Sequence, residues 1–201
     1  MRIGIFGGTF DPPHIGHIAA FKSFLEQFEF DCAYVIPALV PPHKRLESDV
    51  SAKDRLEMTR LAFESISEKV IVSDLEMKRQ GKSYTADTIK YFKDLGSDDI
   101  YFLCGTDMLL TLDLWYKPEY IMENSKIVFA RRENLAENTE MIAKKILEYK
   151  ENFGAEIYEL KTKVLEISST EIRQRINCGE YGFLTPPVAK YIDENGLYKD
   201  R

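Results

Sequence analysis

The chain has 201 residues, 44% hydrophobic and 30% charged, enough to bury a core without a disulfide or metal staple. A net charge of −6 and a pI near 5.3 weigh against a nucleic-acid binder that works by neutralising many phosphates. Met1-Arg2-Ile3-Gly4-Ile5-Phe6 lacks the basic and apolar regions of a secretory signal, and no apolar run nears the roughly 20 residues that span a bilayer. Cys32, Cys104 and Cys178 show neither zinc spacing nor a disulfide framework, so the expectation is a cytoplasmic protein with reduced thiols and no membrane partner.

Strand and helix signals alternate along the chain. Ile3–Phe6 is a short apolar run closed by Gly7-Gly8, and reads as a buried strand and turn. Ile15, Ile18, Ala19, Phe24, Leu25 and Phe28 follow helical spacing after Asp11-Pro12-Pro13. Cys32–Pro37 reads as strand, Ser51–Ser65 as helix, Val70–Ser73 as strand and Tyr84–Leu95 as helix. Ile100–Cys104 and Lys126–Ala130 are further buried strands. Asn134–Lys150 is helical, Ala155–Leu160 strand-like, and Ser169–Asn177 and Pro187–Glu194 helical. Short apolar strands separated by helices predict an α/β fold, a doubly wound parallel sheet with helices on both faces and a small helical C-terminal portion. Ligands of such sheets bind beyond the carboxyl ends of the strands, after Phe6, Ile36, Cys104 and Ala130 here. No linker or repeat divides the chain, so residues 1–201 are expected to form one domain.

The first of these turns carries the most chemistry. Gly7 and Gly8 allow close backbone approach and offer amide donors for phosphate oxygens, Thr9 adds a hydroxyl, and Phe10 belongs to the same phosphate-binding turn. Asp11 reads as the cap of the next helix, with proline in its first turn. His14 and His17 are three apart and share a face, where imidazoles can donate to phosphoryl oxygens as charge develops. Gly16 between them leaves room for a base or ribose.

Gly7–His17 resembles the H-x-G-H signature of the adenylyl/cytidylyltransferase superfamily, which has a Rossmann-like fold and is related to class I aminoacyl-tRNA synthetases. Its G-G-T-F-D-P-P-H-x-G-H form is similar to that of the bacterial nicotinate-nucleotide adenylyltransferases. The resemblance implies adenylyl transfer from ATP to the 5′-phosphate of nicotinate mononucleotide with Mg²⁺, and His17 and His14 as the catalytic residues.

A second constellation opens a late helix. Ser168 with Glu171 fits a capping box, while Ser169, Thr170 and Arg173 gather two hydroxyls and a guanidinium at a helix start suited to a triphosphate. Ile167-Ser168-Ser169-Thr170-Glu171-Ile172-Arg173 also resembles the family's I-S-S-T-x-I-R signature, which implies that residues from about 168 to 201 complete the ATP site. Arg175, half a turn further round, reads as solvated. Lys44, in Pro41-Pro42-His43-Lys44, takes a phosphate-binding role by the same resemblance. His43 and the pair Arg131-Arg132 have no assigned role.

For the acceptor, Ser83 reads as a cap whose helix offers amides near Tyr84 and Thr85, better suited to a carboxylate than to a carboxamide. Trp115, the sole tryptophan, could stack on a pyridine ring or anchor its loop. Asp107, after the Ile100–Cys104 strand, reads as a ribose acceptor or a helix cap. These segments, and the tail with Gly196-Leu197-Tyr198, resemble the same family. The alternatives are another acceptor (nicotinamide mononucleotide or 4′-phosphopantetheine), an amino-acid-activating fragment and a non-catalytic nucleotide sensor. The sequence leaves the metal ligands unassigned and a homo-oligomer open.

Overall fold

The computed structural model describes residues 1–42, 48–79, 81–131, 139–161 and 167–199. Six parallel strands, β1 (Arg2–Gly8), β2 (Cys32–Pro37), β3 (Val70–Val72), β4 (Asp99–Gly105), β5 (Lys126–Ala130) and β6 (Ile157–Leu160), form a sheet in the order β3-β2-β1-β4-β5-β6. Both directions of winding leave from the centre, so the topology switches between β1 and β4, the doubly wound arrangement expected. Phe6 lies opposite Leu103, which brings the ends of these two strands, Gly8 and Gly105, to the same edge.

Helices cover both faces. On one lie α1 (Ile15–Gln27), α2 (Ala52–Phe63), α8 (Ser169–Asn177) and α9 (Pro186–Glu194), packed around Phe6, Phe21, Phe24 and Phe63. On the other, α4 (Thr85–Asp94), α5 (Thr106–Leu110), α6 (Pro118–Asn124) and α7 (Thr139–Phe153) pack with Ile3, Ile5, Phe102 and Phe129. Successive residues of β1 alternate between the two clusters because strand side chains have a period of two. The space is tight at Gly4, where a Cβ would come within 2.7 Å of the Phe24 ring.

Every strand expected is present, β6 beginning at Ile157 rather than Ala155. The helix expected from Asn134 is described from Thr139, residues 132–138 lying outside the described set. Three short helices were not anticipated: α3 (Leu75–Lys78), α5 and α6, together with a 3-10 turn at Leu112–Leu114. Four to seven residues are too few to display a helical period.

Two buried polar assemblies brace the strand ends. Arg55 on α2 is 1% exposed, and its guanidinium donates to the carbonyls of Thr9 (2.8 Å), Ala38 (2.6 Å) and Leu39 (3.1 Å). One cation thus ties the turn after β1 to the loop after β2. Glu76 on α3 is buried and accepts from the Thr88 hydroxyl of α4 at 2.6 Å, with Arg79 3.5 Å away. Burial pushes the Glu76 carboxyl above its ordinary value, outweighing the hydrogen bond from Thr88 and the charge of Arg79.

Replacing Arg55 by Met should lower unfolding free energy by about 2–4 kcal/mol, since carbonyls of two loops lose their donor, with Arg55→Lys recovering only part. Denaturant titration checks this, and a loss under about 0.5 kcal/mol would remove Arg55 as a brace. For Glu76 the raised value means the folded state holds the proton more tightly than the unfolded chain, so its contribution declines as pH rises above the normal glutamate range. Unfolding midpoints at about pH 5 and pH 8 should therefore show a downward trend that Glu76→Gln flattens.

Candidate active site

The turn after β1 and the start of α1 are built differently from a simple capped helix. Phe10 has φ 48°, a left-handed conformation unusual for a side chain of that size, and its ring is 1% exposed. The ring packs edge-on against Phe6, Phe63 and His17. A Cβ at Gly8 would meet it at 2.9 Å, so this glycine is required by the fold of the turn itself. Any phosphate contact at Phe10 therefore falls to its backbone. Gly7, Gly8 and Thr9 are half-buried at the central strand end.

His14, and not Asp11, is the N-cap of α1: its backbone is extended (φ −142°, ψ 170°) and the helix begins at Ile15. His14 Nδ1 accepts from the His17 amide at 3.4 Å, and His17 Nδ1 accepts from the His14 amide at 3.3 Å, a reciprocal capping box made by two imidazoles. The rings stack with centroids 3.6 Å apart. With both Nδ1 atoms accepting, the ring proton of each sits on Nε2, which makes Nε2–H the donor. His14 is buried and His17 half-buried.

The Asp11 carboxylate, expected to cap, is instead 3% exposed and accepts from the hydroxyls of Ser48 (2.7 and 2.8 Å) and Tyr198 (2.7 Å). Its peptide bond to Pro12 is cis. Its backbone carbonyl accepts from Arg173 Nη1 at 2.6 Å, and the next carbonyl, of Pro12, accepts from the Ser169 hydroxyl at 3.1 Å. The opening of α8 is thereby seated on the loop that leads into His14. Arg173 Nη2 also donates to Thr170 Oγ1 at 3.0 Å, holding the guanidinium at the helix start. Ser168 is the N-cap, accepting from the Glu171 amide at 3.1 Å. The capping box anticipated there is half made, because the Glu171 carboxylate pairs with Arg175 at 2.9 Å. Arg175 lies 4.7 Å from the Phe183 ring centroid and pairs with Glu171 and Glu180, with its side chain still 39% exposed.

Of the segments expected to hold the acceptor, those around Tyr84 and Trp115 meet. Tyr84, not Ser83, is the N-cap position of α4, and Thr85 is its first residue. Ser83 is buried and accepts from the Leu39 amide at 2.9 Å, fastening this helix start to the loop after β2. The Tyr84 ring lies 4.5 Å from that of Tyr116, beside Trp115. Trp115 is half-buried with its ring edge-on to Phe102 at 6.3 Å. Asp107 is exposed in the first turn of α5, where Gly105 holds the N-cap position. Thr106 Oγ1 donates to the Ala130 carbonyl at 3.1 Å, locking the ends of β4 and β5 together. Arg131 pairs with Glu159 at 3.5 Å. Lys44, His43 and Arg132 lie outside the described residues.

Arg55, Ser48 and Tyr198 support the site, yet sequence reasoning gave them no role. A lone arginine within a charged helical stretch reads as solvated, and nothing local marks Ser48. The tail carrying Tyr198 resembled the family without revealing what its hydroxyl touches.

The description "Cytidylyltransferase-like" belongs to the family model that matches residues 5–175. A protein of Clostridium botulinum (strain Kyoto), named "Probable nicotinate-nucleotide adenylyltransferase", is 40% identical over 201 residues, covering 97% of this chain and 98% of its own. One of the same name from Thermosipho melanesiensis is 37% identical over 200 residues, covering 98% and 96%. The fold matches that of the nicotinic acid mononucleotide adenylyltransferase of Plasmodium falciparum complexed with NaAD, with TM-score 0.78, 23% identity and coverage of 98% and 97%. Sequence and fold together show that the chain belongs to the nicotinate-nucleotide adenylyltransferases of the cytidylyltransferase-like family.

Proposed function

We propose that this protein transfers the adenylyl group of ATP to the 5′-phosphate of nicotinate mononucleotide, forming nicotinate adenine dinucleotide and pyrophosphate. The observation that carries the reading is the seating of α8 on the loop before His14, through Arg173 to the Asp11 carbonyl at 2.6 Å and Ser169 to the Pro12 carbonyl at 3.1 Å. Two helix openings rich in anion donors then serve one polyphosphate. In this reading the C-terminal part, from about residue 168, completes the ATP site of a single nucleotidyltransferase domain.

A 5′-phosphate oxygen of the mononucleotide attacks the α-phosphorus of ATP in line; the new P–O bond forms as the bond to the β-phosphate oxygen breaks. Pyrophosphate leaves with the bonding electrons. The attacking phosphate is already ionised at neutral pH, so no general base is required, and catalysis consists of positioning and charge stabilisation. The Nε2–H groups of His14 and His17 donate to phosphoryl oxygens as charge grows there, assisted by the backbone of Gly7, Gly8, Thr9 and Phe10. Arg173, Thr170, Ser169 and Lys44 take the remaining phosphates. The donor atoms of Ser169 and Arg173 also dock the helix, so their substrate contacts share groups with the fold.

Among the described residues no group of three or more His, Cys, Asp or Glu could hold a metal. Asp11, the carboxylate within the Gly7–His17 motif, accepts from Ser48 and Tyr198. Mg²⁺ is therefore read as part of the substrate, entering on the ATP phosphates and screening the charge of the pyrophosphate. On the acceptor side, the start of α4 at Tyr84 and Thr85 favours a carboxylate, Trp115 offers aromatic surface to the pyridine, and Asp107 accepts from ribose hydroxyls.

Pyrophosphate release from ATP and nicotinate mononucleotide is the direct assay; ATP binding without release would favour a sensor. Under that assay His17→Ala should lower kcat on the order of 10²–10³-fold with an unchanged fold, as loss of one oxyanion donor does. Near-normal turnover in that variant would take His17 out of the role. Replacing nicotinate by nicotinamide mononucleotide should lower kcat/KM by about tenfold or more, since the neutral amide loses the attraction of the helix start. Equal use of both substrates would contradict the acceptor assignment.

A further inference from the structure

Tyr149 on α7 is 0% exposed and takes no part in the proposed chemistry. Its hydroxyl shares one proton between Asp113 Oδ1 at 2.8 Å and the Leu109 carbonyl at 3.0 Å, and accepts from the Asp113 amide at 3.3 Å. Lys145, one turn earlier on the same face of α7, donates to Asp113 Oδ2 at 2.8 Å. Its ammonium lies 5.3 Å from the Tyr149 ring centroid. Both carboxylate oxygens of Asp113 and its amide are thus held from one helix. What they hold is the acceptor half of the site. Leu109 belongs to α5, which carries Asp107, and Asp113 is the middle residue of the 3-10 turn that ends at Trp115. The Trp115 amide donates to the Leu112 carbonyl at 3.1 Å, tying the residue that bears the indole to that turn.

We propose that Tyr149 is a positioning residue of the acceptor site: its hydroxyl, with Lys145 beside it, fixes the turn that presents the Trp115 indole to the pyridine of the mononucleotide. Burial, and then the hydrogen bond to Asp113, push the phenol above its usual value, so the hydroxyl keeps its proton. A phenol here does what a leucine could not, filling core volume with its ring and reaching a polar turn with its oxygen. The constraint matters because an aromatic surface binds a ring at a defined distance and tilt, and a three-residue turn has few bonds of its own. Loss of the hydroxyl would take that partner from the Leu109 carbonyl and the Asp113 amide and loosen the turn. The inference rests on Trp115 meeting the pyridine, and not on how ATP is held.

The test pairs steady-state kinetics of pyrophosphate release with acrylamide quenching of Trp115, which as the sole tryptophan reports on this turn alone. Tyr149→Phe, which keeps the ring in the core, should raise KM for nicotinate mononucleotide about fivefold, the scale of one buried hydrogen bond. KM for ATP should stay within about twofold, and quenching of the unliganded variant should rise. Lys145→Met should act in the same direction, and the double variant should show less than the combined effect because both side chains work through Asp113. Unchanged KM for the mononucleotide, a rise shared equally by ATP, or a rise without altered quenching overturns the proposal. A purely structural contact would lower stability without singling out one substrate. Thermal unfolding shows that each variant measured is folded; should Tyr149→Phe not fold, Lys145→Met decides by the same three readings. Trp115→Ala separates this inference from the reading beneath it. Normal use of the mononucleotide by that variant would remove Trp115 from the site, and the inference with it.

Discussion

The site depends on backbone carbonyls of one loop accepting hydrogen bonds from residues more than 150 positions away. Asp11 and Pro12 offer theirs to Arg173 and Ser169, and the amide of Ile15, which has no partner within its own helix, donates to the Phe183 carbonyl at 3.0 Å. Together with Tyr198 on the Asp11 carboxylate, these bonds fix the late part of the chain onto the beginning of α1. Each is short-range and directional, so a displacement of α8 would carry the loop and the histidine pair with it. The parallel sheet supplies the platform by setting the ends of β1 and β4 side by side, and the loop-to-helix bonds do the alignment.

In the histidine pair one local arrangement caps the helix and, in the proposed function, also serves the chemistry. Each imidazole uses Nδ1 to satisfy an amide at the helix start, which fixes ring orientation and tautomer at once. A pair of serines could cap the helix as well, but would not present two N–H donors on one stacked surface. Phe10 plays the complementary part: its left-handed backbone and buried ring press against His17 and Gly8, so the turn is preorganised by hydrophobic packing.

Much of the fold was legible in sequence because strands of a parallel sheet are buried on both faces and read as uninterrupted apolar runs, as in Ile100–Cys104 and Lys126–Ala130. The opening of α8 with Ser169, Thr170 and Arg173, singled out by residue type and spacing, is seated on the loop before His14 and His17, which were singled out the same way. Sequence says less where tertiary partners decide. Asp11 before a proline has the look of a cap, but Ser48 and Tyr198 engage its carboxylate and His14 takes the cap position. Ser83 was misread for the same reason, its hydroxyl being engaged by the Leu39 amide of another loop. The burial of Arg55 is likewise a tertiary fact, invisible in a helix whose neighbouring residues are charged.

The central claim is that the openings of α1 and α8 grip a single polyphosphate. A crystal structure with bound magnesium and a non-hydrolysable ATP analogue tests it most directly. The account predicts an α-phosphate oxygen within about 2.7–3.2 Å of Nε2 of His14 or His17, with the outer phosphates at the start of α8 beside Arg173. Phosphates bound elsewhere, for example at the opposite edge of the sheet between Lys93 and Lys126, would contradict it.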